Sequence, residues 1–223
     1  MPSTVVHVAL AGLIGAALLA DHFDGKAIAA VMAATAFIDL DVFVGLVVPG
    51  THRAAFHTLL LPLALGALLA IDLRARDRSL VRERWGPRGV RIGWVSLFAM
   101  AFAGIGLDLF FNGVNLFYPL YDRFFDFSGQ LVYSNQRGFV QTLVEVDLRV
   151  DVLTEGAAET EPDRTVSTTE NTHYRTGVDP ARGEAPENVE RIFPIAATGE
   201  RALLALTGYT VVGLRLWTER HEE

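Results

Sequence analysis

The 223-residue chain contains no cysteine. That excludes disulfides, thiolate zinc sites and cysteine nucleophiles, so any bound metal has to be held by nitrogen and oxygen. Lysine is nearly absent too: Lys26 stands alone, and every other basic residue except histidine is arginine. With a net charge of -7 and a pI near 5.4, the chain lacks the clustered basic surface that a polyanion requires, which argues against a nucleic-acid partner. GxSxG, Walker, HExxH and GxGxxG elements are all missing. The first apolar run has no basic region before it and carries His7, so it reads as an uncleaved span rather than a signal peptide.

What the chain has in abundance is apolar sequence. It is 51% hydrophobic and only 20% charged, with a mean hydropathy of +0.30. A spanning helix needs about 20 mostly apolar residues, and five stretches qualify: 5–20, 27–48, 54–71, 90–111 and 196–217. The expected fold is a mainly α, multi-pass bundle of about five spans with a small β-containing extracytoplasmic insertion. Its expected divisions are a membrane core over 1–120, an acidic outer segment over 121–192, and a last span with its tail over 193–223.

Orientation follows from the arginines between 72 and 91, namely Arg74, Arg76, Arg78, Arg82, Arg84, Arg88 and Arg91. The positive-inside rule makes that loop cytoplasmic. The N-terminus is then outside and the C-terminus, with Arg215 and Arg220, inside. The same threading sends His7, Asp39, Asp41, His52, His57 and Asp108 to the outer end of their spans. His22, His173 and His221 fall elsewhere and read as solvated surface residues.

Within the outer segment, Val144, Val146, Leu148, Val150 and Val152 alternate with charged residues, the period-two pattern of a half-buried strand. A second β-prone stretch at 164–174 makes a hairpin the expectation. Residues 177–188 read as a flexible loop.

The chemistry concentrates between Phe37 and His57. An ionised carboxylate at membrane depth costs roughly 2.5–3.5 kcal/mol on insertion scales, so Asp39 and Asp41 call for a partner cation or a wet cavity. Residues two apart on a helix point about 200° from each other. Both aspartates therefore serve one site only if the helix is broken there; otherwise one of them faces interface water. Pro49-Gly50-Thr51 reads as a turn and helix start with Thr51 as N-cap, placing Arg53 and His57 on one helical face. Two histidines with aspartates suit zinc first, with manganese or iron as alternatives. Arg53 either clamps an anionic substrate or pairs with Asp39 or Asp41.

Taken in order, the pattern runs from His7 at the head of a small apolar helix, through Asp39-Leu40-Asp41, to His52-Arg53 and His57. It ends with Asp108 ahead of a Gly…Pro119-Leu120 run. This resembles the YdjM-type family, described as membrane-bound metal-dependent hydrolases, over roughly Val6 to Val140. The resemblance implies metal or catalytic roles for His7, Asp39, Asp41, His52, His57 and Asp108, the three aspartates being its catalytic candidates. Val42 and Gly104 stand where the family pattern carries histidine. The implied function is hydrolysis of a phosphoester or other anionic, lipid-like substrate at the outer membrane face, the bilayer itself being the other partner. The alternative is a non-enzymatic scaffold or metal-binding protein that docks a partner through its outer β segment.

Overall fold

A computed structural model describes residues 3–76, 78–111, 113–127, 129, 131–141, 167–183 and 187–222. Helices dominate, in the order α1 (Thr4–Leu18), α2 (Gly25–Ile38), α3 (Asp41–Gly45), α4 (Leu60–Arg74) and α5 (Leu80–Ala99). A π-helical stretch, Met100–Gly106, carries α5 into the short α6 (Leu107–Leu109), and α7 (Gly199–Glu222) closes the chain. Among the described residues, two helical units are long and apolar enough to cross a membrane, Gly25–Gly45 and Leu80–Leu109. The latter bends at Gly86, whose φ of 65° precedes Pro87; proline removes a helical donor and clashes with the preceding turn.

Helix α1 sits at the centre because its side chains are small. Ala9, Ala11, Gly12, Gly15 and Ala16 are all buried, which lets neighbouring backbones approach closely. The core around it joins Leu19, Phe23, Ile28 and Val31 with Val95 from α5 and Val212 from α7. Leucines of α4 and α7, among them Leu63, Leu68, Leu203 and Leu206, are exposed. Apolar surface on this scale needs a covering.

Arg88, Arg91 and Arg215 gather at one end. Arg88 pairs with Asp24, which also caps α2 by accepting from the Lys26 and Ala27 amides at 2.9 and 2.8 Å. Arg91 donates to the Leu18 carbonyl at 2.6 Å, and Arg215 reaches the carbonyls of Ala16 and Ala20. Asp72 ties α4 to α5 by accepting from Ser79 Oγ at 2.6 Å and the Leu80 amide at 2.9 Å.

Three expectations change. The third helix starts at Leu60 rather than near residue 54, so Thr51 caps nothing and Arg53 and His57 share no helical face. Residues 51–58 form turns, with Arg53 at φ 65° and the Thr51 hydroxyl donating to Val48 O at 2.7 Å. A hairpin forms upstream of the expected one: β1 (Leu131–Ser134) pairs antiparallel with β2 (Gly138–Gln141). The alternating stretch at 144–152 lies outside the described residues, and Ser167–Tyr174 has no strand. His173 is not a solvated surface group. Its side chain is 13% exposed, and Nδ1 lies 3.8 Å from Asp179.

The polar segment packs down onto the site end of the bundle. Gly50 meets it directly, because a Cβ there would lie 1.9 Å from the Thr169 carbonyl oxygen, and its φ of 86° suits glycine. Asp122 extends the tie, accepting from Asn115 Nδ2 and Thr169 Oγ1, both at 2.6 Å.

Candidate metal centre

The helix that carries Asp39 and Asp41 is interrupted between them. Helix α2 ends at Ile38 and α3 begins at Asp41, and the amides of Asp39, Leu40 and Val42 bond three residues back rather than four. Both carboxylates consequently reach the same cluster. Asp39 lies 3.2 Å from His7 Nδ1 through either oxygen and 3.4 Å from His57 Nε2. Asp41 faces His57 Nδ1 at 2.7 Å, His52 Nδ1 at 2.8 Å and the Arg53 amide at 2.9 Å.

Helix α1 supplies His7 from its first turn, and α6 supplies Asp108. His7 Nε2 is 3.4 Å from Asp108 Oδ1, and His57 Nε2 is 3.2 Å from Asp108 Oδ2. His7, His57 and Asp108 form a buried group whose ligand atoms lie within 4.8 Å of one another, and it could hold a metal ion. Arg53 is engaged: Nη2 donates to Asp108 Oδ1 at 2.8 Å and Nη1 to the Gly113 carbonyl at 3.3 Å. Its guanidinium also lies 4.8 Å from the centre of the Tyr174 ring. Burial pushes the Tyr174 hydroxyl up to about 12, with the charge of Arg53 acting in the opposite direction.

Two features of the donor set fit a metal. Ligands about 2.1 Å from a tetrahedral ion stand roughly 3.4 Å apart, and the contacts of the two imidazole Nε2 atoms with Asp39 and Asp108 are 3.2–3.4 Å. Both Nε2 atoms are also buried without a hydrogen-bond partner among the described residues. An ionised carboxylate only accepts, so the proton of His57 belongs on Nδ1 toward Asp41, leaving the Nε2 lone pair free, 3.2 Å from Asp108. A carboxylate behind a histidine is the usual way of fixing the tautomer of a metal ligand.

All six residues expected to carry metal or catalysis converge here, at the end of the bundle opposite the arginines, and Arg53 lies among them. Asp39 and Asp108 line the cluster, whereas Asp41 and His52 stand behind His57. Sequence reasoning passed over Asn115, which is fully buried and anchors the Arg53 carbonyl through its amide at 2.9 Å. It also passed over Tyr174, since an aromatic in a polar segment carries no signal of where that segment folds.

Compared with known proteins, the chain matches the family described as YdjM inner membrane protein over residues 1–166. No curated protein and no solved structure matches it. Three quarters of the length, including every residue of the histidine–aspartate cluster, falls within the matched region, and the chain belongs to the YdjM inner membrane protein family.

Proposed function

We propose that this protein is a membrane-embedded, metal-dependent hydrolase acting on a phosphoester or similar anionic substrate at the outer membrane face. In this reading five helices cross the bilayer, the arginine end lies in the cytoplasm and the histidine–aspartate end faces out. The observation that carries the proposal is the pair of Nε2 atoms on His7 and His57, buried without a hydrogen-bond partner among the described residues and 3.4 and 3.2 Å from Asp108.

His7, His57, Asp39 and Asp108 would hold the ion, zinc in preference to manganese or iron given two imidazoles and carboxylates. Bound there, a divalent metal supplies Lewis acidity to a phosphoryl oxygen and lowers the pKa of water. Asp41 and His52 brace His57 from behind. Asp39 has the most exposed side chain of the three carboxylates, at 16%. It also lines the adjoining cavity, so it is the one placed to take a proton from attacking water. Arg53 holds Asp108 in position and has a buried Nε without a partner, which is available to an anion.

The charge balance favours a dication. Three carboxylates against one guanidinium leave an excess of two negative charges when the imidazoles are neutral. Protonating two imidazoles would also neutralise the cluster and make it a structural tie of the non-enzymatic alternative. Elemental analysis of detergent-purified protein separates the two. The proposal expects stoichiometric transition metal in the wild type and its loss from His57→Ala and Asp39→Ala. A wild type free of metal, with those variants merely less stable, would overturn it.

A further inference from the structure

Beside the cluster lies a cavity of about 220 Å³, floored by Asp39, Val42, His52, Arg53 and Asp108. Its roof is the polar segment, which brings Arg175, Val178 and Phe193 over the site. The roof is held in place rather than draped. Arg191 donates to the carbonyls of Gly177 and Val178 at 3.0 and 3.1 Å. The Thr176 amide donates to Asp179 O at 2.9 Å and the Asp179 amide to Thr176 Oγ1 at 2.8 Å. Phe193 packs flat on Gly177, where a Cβ would come within 2.6 Å of the ring.

The two arginines at this cavity differ in their commitments. Both terminal nitrogens of Arg53 are taken, by Asp108 and by Gly113 O. Among the described residues the guanidinium of Arg175 makes no ion pair and no hydrogen bond. Around it the walls are apolar: Val5 and Val42 from the bundle, and Val178, Ile192 and Phe193 from the roof. A cation without a protein partner among the described residues, beside an apolar wall and above a cluster fit for a metal, suits a ligand that is anionic at one end and hydrocarbon at the other.

We infer that Arg175 supplies the free guanidinium that binds the anion at this site, beside the single Nε of Arg53, and that the ligand is an amphipathic phosphoester. Its phosphoryl group lies between Arg175 and the histidine–aspartate cluster, and its hydrocarbon lies against Val42, Val178 and Phe193. The assignment rests on the hydrolase reading for what happens to the ligand, but not for whether it binds. Val42 acquires a meaning as well: an aliphatic side chain at the cavity floor supplies wall where a histidine would supply another polar atom.

The test is equilibrium binding of hexyl phosphate, inorganic phosphate and hexanol to full-length protein in nanodiscs, zinc-loaded and metal-free, with metal content measured on each preparation. Hexyl phosphate is expected to bind more tightly than either fragment. R175Q should weaken it about tenfold to a hundredfold, the range of a charge-assisted hydrogen bond, and R175K should retain most of the affinity. F193A should weaken hexyl phosphate and leave inorganic phosphate unchanged. Wild-type affinity in R175Q overturns the role of Arg175. Equal binding of inorganic and hexyl phosphate, indifferent to F193A, overturns the amphipathic ligand in favour of free phosphate. Should R175Q fail to fold, R175K and F193A decide. A wild type without metal refutes the hydrolase reading, while the comparison of variants in metal-free protein still decides this one.

Discussion

Asp108 is where the demands on this site meet. Its two oxygens face His7 Nε2, His57 Nε2 and the Arg53 guanidinium, and the residue is 2% exposed. Removing one member of a buried ion pair strands the other, at a cost of about 3–5 kcal/mol. Asp108→Ala should therefore lower the stability of metal-free protein by that amount in denaturant unfolding, and Asp108→Ala with Arg53→Met should recover most of it. An unchanged midpoint for Asp108→Ala would show that Arg53 is satisfied elsewhere. Asp41 behaves differently because it acts through His57. Asp41→Asn keeps the volume but loses an acceptor that His57, His52 and the Arg53 amide share. Metal affinity should fall about 10–100-fold, as when other carboxylates behind a ligand histidine are removed, and a competitive chelator titration reads this directly.

At the scale of elements, the site depends on departures from regular helix. The break at Asp39-Leu40 aims two carboxylates at one cluster, the turns at 51–58 carry three of its residues, and the π-helical stretch leads to Asp108. The first was one of two readings open in the sequence: charge in an apolar run is costly and a two-residue spacing cannot serve one helical face, but an aspartate turned to interface water met the same constraints. The second was not legible: residues 54–59 are apolar enough to pass for helix, and what holds them otherwise is tertiary, the Asp41 bond to the Arg53 amide and the Asn115 bond to its carbonyl. Gly104 also acquires its reason only in three dimensions, since a Cβ there would lie 2.6 Å from Ile38 Cδ1. The β1–β2 hairpin had no comparable signal, because the apolar–polar alternation at 144–152 is stronger than any over 131–141. Arg175, an exposed arginine in an acidic loop, has nothing in its sequence context to distinguish it. The roof itself depends on Gly50. Gly50→Ala puts a methyl group where Thr169 O sits, so hydrogen exchange should rise across 167–183 while α1 and α2 keep their protection. Equal protection in both proteins would mean the roof is held without this contact.

Across the whole molecule, two chemistries occupy opposite ends: arginines hold helix ends together at one, and the histidine–aspartate cluster opens to a cavity at the other. The absence of cysteine makes the proposed orientation easy to read. Leu120, 81% exposed at the site end, and Arg78, 86% exposed at the arginine end, can each be replaced by cysteine without competing thiols. An impermeant maleimide should label Leu120→Cys on intact cells and Arg78→Cys only after permeabilisation, and the reverse pattern would invert the topology. That placement bears on how the protein is supplied. With the arginine end inside, the cluster assembles only once α1, α2 and α6 have come together in the bilayer. In the proposed orientation a bound ion would arrive from the outer compartment after insertion, so its occupancy would follow the metal content of the surroundings rather than the regulated cytoplasmic pool.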